Sequence, residues 1–377
     1  MPSSREPLTL VAAFLRGDVT RWSDLTLDVQ QFLDLCREHE VEGLCFERLS
    51  RLDSDSTADW PRQVWEELSD AARTRAMEEL LRKAEIRRVV AALADAGIRP
   101  ILLKGTPLAY TVYDSPASRP RADTDVMVAG ADVEAARQVM RSLAYVETVQ
   151  CHELLSQFEV QQCDRFGVIH AFDVHWSIST QPVFAGLLTY DALLPRAVGV
   201  PALGESAVAP CRVDALLLSC VHPAMHHRND ERLLWILDIH LLASGLSPAE
   251  LDEFEALARM KKVMAICRWG LQQAQAVFGT LVAADLIGRL NRTAGPEPSA
   301  AYLASERRWH HETMASLRAL PRLGDRARLV REVLLPSPGY MLGAYGLRDK
   351  PLGTWLLPAL YVHRNVHGAW KILTGKK

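Results

Sequence analysis

The hydrophobic period changes twice along this chain of 377 residues, and that change limits the folds open to it. Up to Gly97 the apolar residues keep a helical spacing. In "ELLRKAEIRRVVAALADAG", Ile86, Val89, Val90 and Leu93 fall at i, i+3, i+4 and i+7 on one face, and Gly97 is a natural stop. "FLDLCREHEVEGLCFERL" has similar spacing, and the Ser/Asp-rich "SRLDSDSTAD" after it reads as a loop. Beyond Gly97 the apolar runs shorten. "IRPILLKG", "DVMVAG", "YVETVQ", "QFEVQQC" and "GVIHAFDVHW" are strand candidates, with "DVEAARQVMRSLAY" as a helix N-capped by Asp132. The Pro/Gly stretch "RAVGVPALGESAVAP" closes this block, and helical spacing returns from about residue 211. The reading is α/β in the α+β sense. A small mixed-sheet domain at 97–205 is flanked by an N-terminal helical region at 1–96, a C-terminal helical domain at 206–300 and a helical or irregular tail at 301–377.

Composition narrows the function classes. Hydrophobic residues make up 49% and charged residues 24%, as in ordinary globular proteins. A net charge of -3 argues against a general grip on a nucleic-acid backbone, which needs a clustered basic excess. The seven cysteines are scattered with no C-x-x-C pair, so neither a disulfide framework nor a zinc knuckle is indicated. The apolar run in "MPSSREPLTLVAAFLRGDV" is short for a secretory signal and is broken by Arg16 and Asp18. "PLGTWLLPALYV" is about half the length of a membrane span and contains Pro358. A cytoplasmic protein with no membrane span is expected. The Arg-rich "RALPRLGDRARLVRE" reads as the solvated face of a helix, with a site for an acidic acceptor or an anionic membrane surface as the lesser alternative.

The chemistry concentrates in "SRPRADTDVMV", where Asp123 and Asp125 open an apolar run behind Arg119 and Arg121. Strand residues at i and i+2 share a face, so the two carboxylates project side by side. They repel unless a cation lies between them, and hard oxygen ligands suit Mg²⁺. Upstream, "LLKGTPLAY" ends a strand at Gly105 and opens a helix at Thr106-Pro107, where backbone N–H groups and a hydroxyl could meet a phosphate. Downstream, "IHAFDVHW" puts Asp173 on one strand face with Ala171 and His175, while Phe172, Val174 and Trp176 face the other way. Lys104 and Arg119 are candidates either to neutralise phosphate or to pair with the carboxylates. Trp176 is read as core, and His175 as packed or as assisting Asp173.

A strand, Gly-Thr and a helix, then Asp-x-Asp on the next strand, then a third Asp on a later strand: this order resembles the nucleotidyltransferase fold of the DNA polymerase β superfamily. More closely, the chain resembles a large bacterial group of uncharacterised nucleotidyltransferases, which carry a "KG" strand end, an "RP…D-x-D" strand, a "D-x-H-W" strand and a helical "H…W-x-x-D". Here the last is His222 through "RLLWILDIHLL", and the resemblance runs over roughly residues 30 to 270. It implies that Asp123 and Asp125 bind two Mg²⁺ ions with an NTP, ATP by analogy. It implies that Asp173 binds one metal and helps deprotonate an acceptor hydroxyl, and that Gly105 and Thr106 hold the β and γ phosphates. The product would be a nucleoside monophosphate, AMP by analogy, on an unidentified hydroxyl-bearing small molecule, peptide or protein. Arg232 or Asp238 would approach the nucleotide or acceptor. The chain departs from the pattern in the long Thr106–Asp123 gap and in Thr124, which stands where an aliphatic residue is usual.

Two rival readings remain at this level. His222 and His226, with His227 beside them, stand at a helical i, i+4 spacing that could centre a metal-dependent hydrolase. A non-catalytic nucleotide-binding or scaffold protein is the other.

Overall fold

Ile101, Leu102 and Leu103 are all buried, which is why this run is continuously apolar: the strand is covered on both faces. The computed structural model describes residues 5–148, 156–281, 284–292, 297–304, 309–347, 350 and 353–374. Its N-terminal part is helical: α1 (Arg5–Arg16), α2 (Val29–Glu38), α3 (Glu42–Ser50), the one-turn α4 (Ser54–Thr57) and the long α5 (Arg62–Asp95). Strands β1 (Ile101–Leu103) and β2 (Thr124–Met127) are joined through α6 (Gly105–Thr111), and α7 (Val133–Ser142) leads to β3 (Val146–Glu147), β4 (Gln157–Cys163) and β5 (Ile169–His175). After α8 (Pro182–Ala185) and α9 (Tyr190–Leu193) come β6 (Val198–Gly199) and β7 (Val208–Ala209). The rest is helical: α10 (Arg212–His226), α11 (Leu233–Ser244), α12 (Pro248–Met260), α13 (Met264–Phe278), α14 (Ala284–Asn291), α15 (Trp309–Ala319), α16 (Leu323–Leu334), α17 (Pro338–Ala344) and α18 (Gly353–Thr374).

The seven strands form a mixed sheet in the order β3-β4-β5-β2-β1-β7-β6. Alternation divides its side chains between two cores. Leu102, Val126, Phe172 and Val174 pack with Ile86, Val89, Val90 and Leu93 of α5. Ile101, Leu103 and Met127 face the opposite way, into a larger core shared with the N-terminal helices and with α10, α11 and α13. The side chains at Asp125, Asp173 and His175 are on this second face, so the helices that cover it also roof the acidic positions.

Three local expectations are corrected. The "SRLDSDSTAD" patch contains the turn α4, N-capped by Asp53, whose side chain accepts from the Ser56 amide. The Pro/Gly stretch expected to close the strand-rich block contributes two strands to the sheet, β6 and β7; two-residue strands are too short to show a period. Asp132 stands at the N-cap of α7 but makes no side-chain cap hydrogen bond, because a 3₁₀ turn precedes it and its own backbone (φ -95°, ψ -2°) is already near helical. Val149 and Gln150 of the third strand candidate, with Cys151 and Pro351, lie outside the described residues. Among the described residues no helix is long and apolar enough to cross a membrane.

Candidate active site

Strands β2 and β5 run parallel in a register that sets Asp125 beside Asp173 and Met127 beside His175. The sequence folds this way because the intervening positions, Val126, Phe172 and Val174, anchor both strands in the other core. Asp125 is buried, and its Oδ1 accepts from Lys104 Nζ at 2.5 Å and lies 2.7 Å from His175 Nε2. Asp125, Asp173 and His175 each present a ligand atom within 4.8 Å of the others. Asp123, one residue ahead of β2, lines the same cavity but is not part of that tight group. Two residues outside the sequence reading join them from β4. Gln157 donates to Asp173 Oδ2 at 2.9 Å, and Glu159 is the cross-strand partner of Asp173. Their signal was the alternation of "QFEVQQC", which buries Phe158 and Val160 and turns Gln157 and Glu159 to the acidic face.

The charges at this end do not balance. Burial and the neighbouring Asp125, Asp123 and Glu159 carboxylates push Asp173 up to about 7. Burial and Asp125 also raise Asp123. Burial works against ionised Asp125 as well, but Lys104 and His175 overcome it and hold this carboxyl well below the usual range. Lys104, in turn, is raised: burial opposes its charge, and Asp125 outweighs burial. The lysine reaches the cluster from a backbone at φ 53°, ψ -129°, the left-handed half of the map, which L residues adopt at a cost of order 1–3 kcal/mol and which concentrates at functional sites.

The cavity of about 410 Å³ has a second wall made by α10 and α11, with His222, His226, His227, Arg232, Trp235 and Asp238. Glu40, from the turn after α2, also reaches it. Arg119 is buried here and forks onto Asp238, Nε to Oδ1 at 3.0 Å and an Nη to Oδ2 at 2.6 Å, while Tyr113 donates its hydroxyl to the same Oδ1 at 2.7 Å. The partner of Arg119 is therefore Asp238 and not one of the strand aspartates. Gly105 has a packing reason: a Cβ there would lie 2.2 Å from an Arg119 Nη and 2.8 Å from its Cζ. Any side chain would dislodge the fork. Thr106 is buried, its Oγ1 has no hydrogen-bond partner within the protein, and it is not among the residues lining the cavity.

The three histidines form a ring cluster with Trp235, His222 and His227 stacking edge-on at 4.8 Å and His227 tilted over Trp235 at 4.4 Å. Burial, then the charge of Lys104, lowers His226 to about 4, and burial lowers His222 and His227 as well. These rings are neutral at pH 7. Among the described residues the only trio with three ligand atoms this close is Asp125, Asp173 and His175, so His222 and His226 lack the third ligand that a hydrolytic metal centre needs. Trp176 is partly buried against the core beside α5, as read from the sequence.

The donor set fits a divalent cation. Two carboxylates and an imidazole converge, a third carboxylate stands by, and a single ammonium offsets them. None of the curated proteins matches the chain. A family model described as uncharacterised nucleotidyltransferase matches residues 26–279, which takes in the sheet, Lys104, all three aspartates and the helical wall, and the chain belongs to that family.

Proposed function

We propose that the protein transfers a nucleoside monophosphate, AMP by analogy, from an NTP to a hydroxyl of its acceptor, with Mg²⁺ and release of pyrophosphate. The observation that carries this reading is the parallel register of Asp125 against Asp173, which leaves more negative charge on one sheet face than Lys104 can offset. Asp123, Asp125 and Asp173 would hold two Mg²⁺ ions. Bound there, the ions would neutralise the triphosphate and stabilise charge developing on the attacking and leaving oxygens.

The chain's own residues supply the rest. Asp173 would accept the acceptor hydroxyl's proton, its carboxylate kept ionised by the bound cations, as that oxygen attacks the α-phosphorus and pyrophosphate departs. Gln157 orients the Asp173 carboxylate by its hydrogen bond. Lys104 would exchange its hold on Asp125 for a phosphate oxygen, with Gly105 alongside. Arg119, locked onto Asp238, shapes the cavity wall and adds no free charge to it. Trp235 and Arg232, stacked 5.0 Å apart, offer a surface for a base. We place the chain in the bacterial branch of the DNA polymerase β-like superfamily, with 97–205 as the catalytic domain between helical parts at 1–96 and 206–300 and the tail at 301–377.

The test is transfer of label from each α-labelled NTP into a cell extract, followed by mass spectrometry of the labelled species. The expected result is a labelled acceptor with wild-type protein and none with Asp173→Asn. Label transfer that persists with Asp173→Asn, or is absent with all four NTPs, would overturn the reading.

A further inference from the structure

The last two long helices repeat one pattern on their solvent sides. On α16, Leu323, Ala327, Val330 and Leu334 stand at i, i+4, i+7 and i+11, and all four are exposed. On α18, Trp355, Ala359, Val362, Val366 and Trp370 continue the same spacing to i+15, again all exposed, Trp355 by 83%. The spacing places each set on a single helical face. The opposite side of α18 is the one that packs. Tyr361, Arg364 and Asn365 donate to the carbonyls of Pro336, Val333 and Leu334 at the end of α16. These bonds tie α18 to the end of α16 and leave both apolar stripes exposed.

Charge says what they meet. Residues 301–377 carry 13 Lys and Arg against 5 Asp and Glu, a net +8, whereas residues 1–300 carry 30 against 41, a net -11. Arg322 at the N-cap of α16 and Arg328 and Arg331 within it are exposed around an uncharged stripe. We propose that this tail docks on an anionic phospholipid surface, with both stripes entering the headgroup region and the arginines on the lipid phosphates. An apolar face, basic flanks and tryptophans at the ends of the stripe suit the bilayer interface. No described helix can span, so the tail lies on the surface. The acidic remainder is repelled by the same surface, so contact is confined to the tail. A tail-to-tail dimer would set +8 against +8, and a nucleic acid would meet the arginines but leave the stripes in water.

The test is flotation of the full chain with phosphatidylcholine vesicles and with mixed phosphatidylcholine/phosphatidylglycerol vesicles, at low and high salt. Binding to the mixed vesicles alone, released by salt, is expected. The triple variant Leu323→Glu, Val362→Glu, Val366→Glu changes exposed positions and should cut the bound fraction roughly tenfold. If its melting temperature falls, Trp355→Glu alone serves, as the most exposed member. Equal recovery with both vesicle types, or a stripe variant that floats like wild type, overturns the proposal. So does a stripe variant that loses self-association in sedimentation velocity without any change in vesicle binding, which would make the tail an interface between copies.

Discussion

Arg119–Asp238 and Lys104–Asp125 are both ion pairs on a buried aspartate in the wall of one cavity, and they differ in what surrounds them. Asp238 receives two guanidinium hydrogen bonds and the Tyr113 hydroxyl, so a single negative charge is matched by a single positive one and by a neutral donor. Asp125 shares its lysine with Asp123 and Asp173, and the lysine cannot serve all three. Removing one partner of a closed pair leaves a buried charge alone. Removing one carboxylate of the open cluster relieves repulsion. The lesson is that burial of an ion pair says little by itself; the local balance of charge separates a pair that holds the fold from one that awaits a ligand.

The largest effect expected from this contrast is on turnover. Asp173→Asn should reduce nucleotidyl transfer by roughly 10³-fold or more, since it removes the proton acceptor and a metal ligand together. The metal-free variant should melt no lower than wild type, because Asp173 faces Gln157 and other carboxylates and no arginine. A clearly lower melting temperature would put Asp173 among the structural pairs. Next comes Asp238→Asn. It leaves buried Arg119 with only the Pro120 carbonyl and the more distant Glu40 to offset its charge, and should cost about 3–5 kcal/mol in equilibrium denaturation. A loss under about 1 kcal/mol would mean that the closed pair is not structural.

Part of this contrast was legible in the sequence. Strand alternation placed Asp125, Asp173 and His175 on one face, and β2 and β5 follow the apolar runs that predicted them. The pairing of Arg119 was not legible, because its partner is 119 residues away on α11 and long-range ion pairs leave no local period. Gly105 and Thr106 read together as a phosphate turn; the geometry separates them, since one is small to admit Arg119 and the other is buried and absent from the cavity lining. Glu40 joins the cavity from a turn of the N-terminal helices, where nothing local distinguishes it from a solvated glutamate. The two short strands β6 and β7 lie in a Pro/Gly stretch whose turn signals outweigh four strand residues.

The open cluster should also be visible in the dependence of stability on pH. Asp173 is raised to about 7, so between about pH 4 and 7 the folded chain holds a proton that the unfolded chain has released. Its contribution is present below about pH 4 and is lost as pH rises through 7. His226, lowered to about 4, acts in the opposite sense: the unfolded chain binds its proton first, and stability is lost as pH falls from about 6.5 toward 4. The wild-type curve mixes both, so the difference between wild type and Asp173→Asn isolates the carboxyl. Without metal, the variant should gain on wild type by on the order of 1–2 kcal/mol between about pH 5 and 8, allowing for the partial exposure of Asp173. Saturating Mg²⁺ should shrink that difference, because bound cations favour the ionised wild-type cluster. A pH-independent difference would show that the three carboxylates do not act on one another.

The smallest effect belongs to a third pair at the rim, and it tests whether exposure sets the scale. Arg232 lies over Trp235 and pairs with Glu40 at 3.3 Å and Asp230 at 3.1 Å, but its side chain is 38% exposed, against 8% for Arg119. Water screens the rim charges, and the long side chains give up rotamer entropy to meet, so Arg232→Ala should change unfolding free energy by no more than about 1 kcal/mol. The residue nevertheless points into the cavity, so the variant should weaken binding of a Mg–NTP analogue, read as a smaller rise in melting temperature at the same ligand concentration. High salt should blunt the wild-type response more than that of the variant, because the charge removed is one that salt can screen. If Arg232→Ala instead destabilised the protein as much as Asp238→Asn, its rim position would have to act as a closed pair despite its exposure. Charge balance and burial together would then not suffice to tell the fold's ion pairs from those of the site.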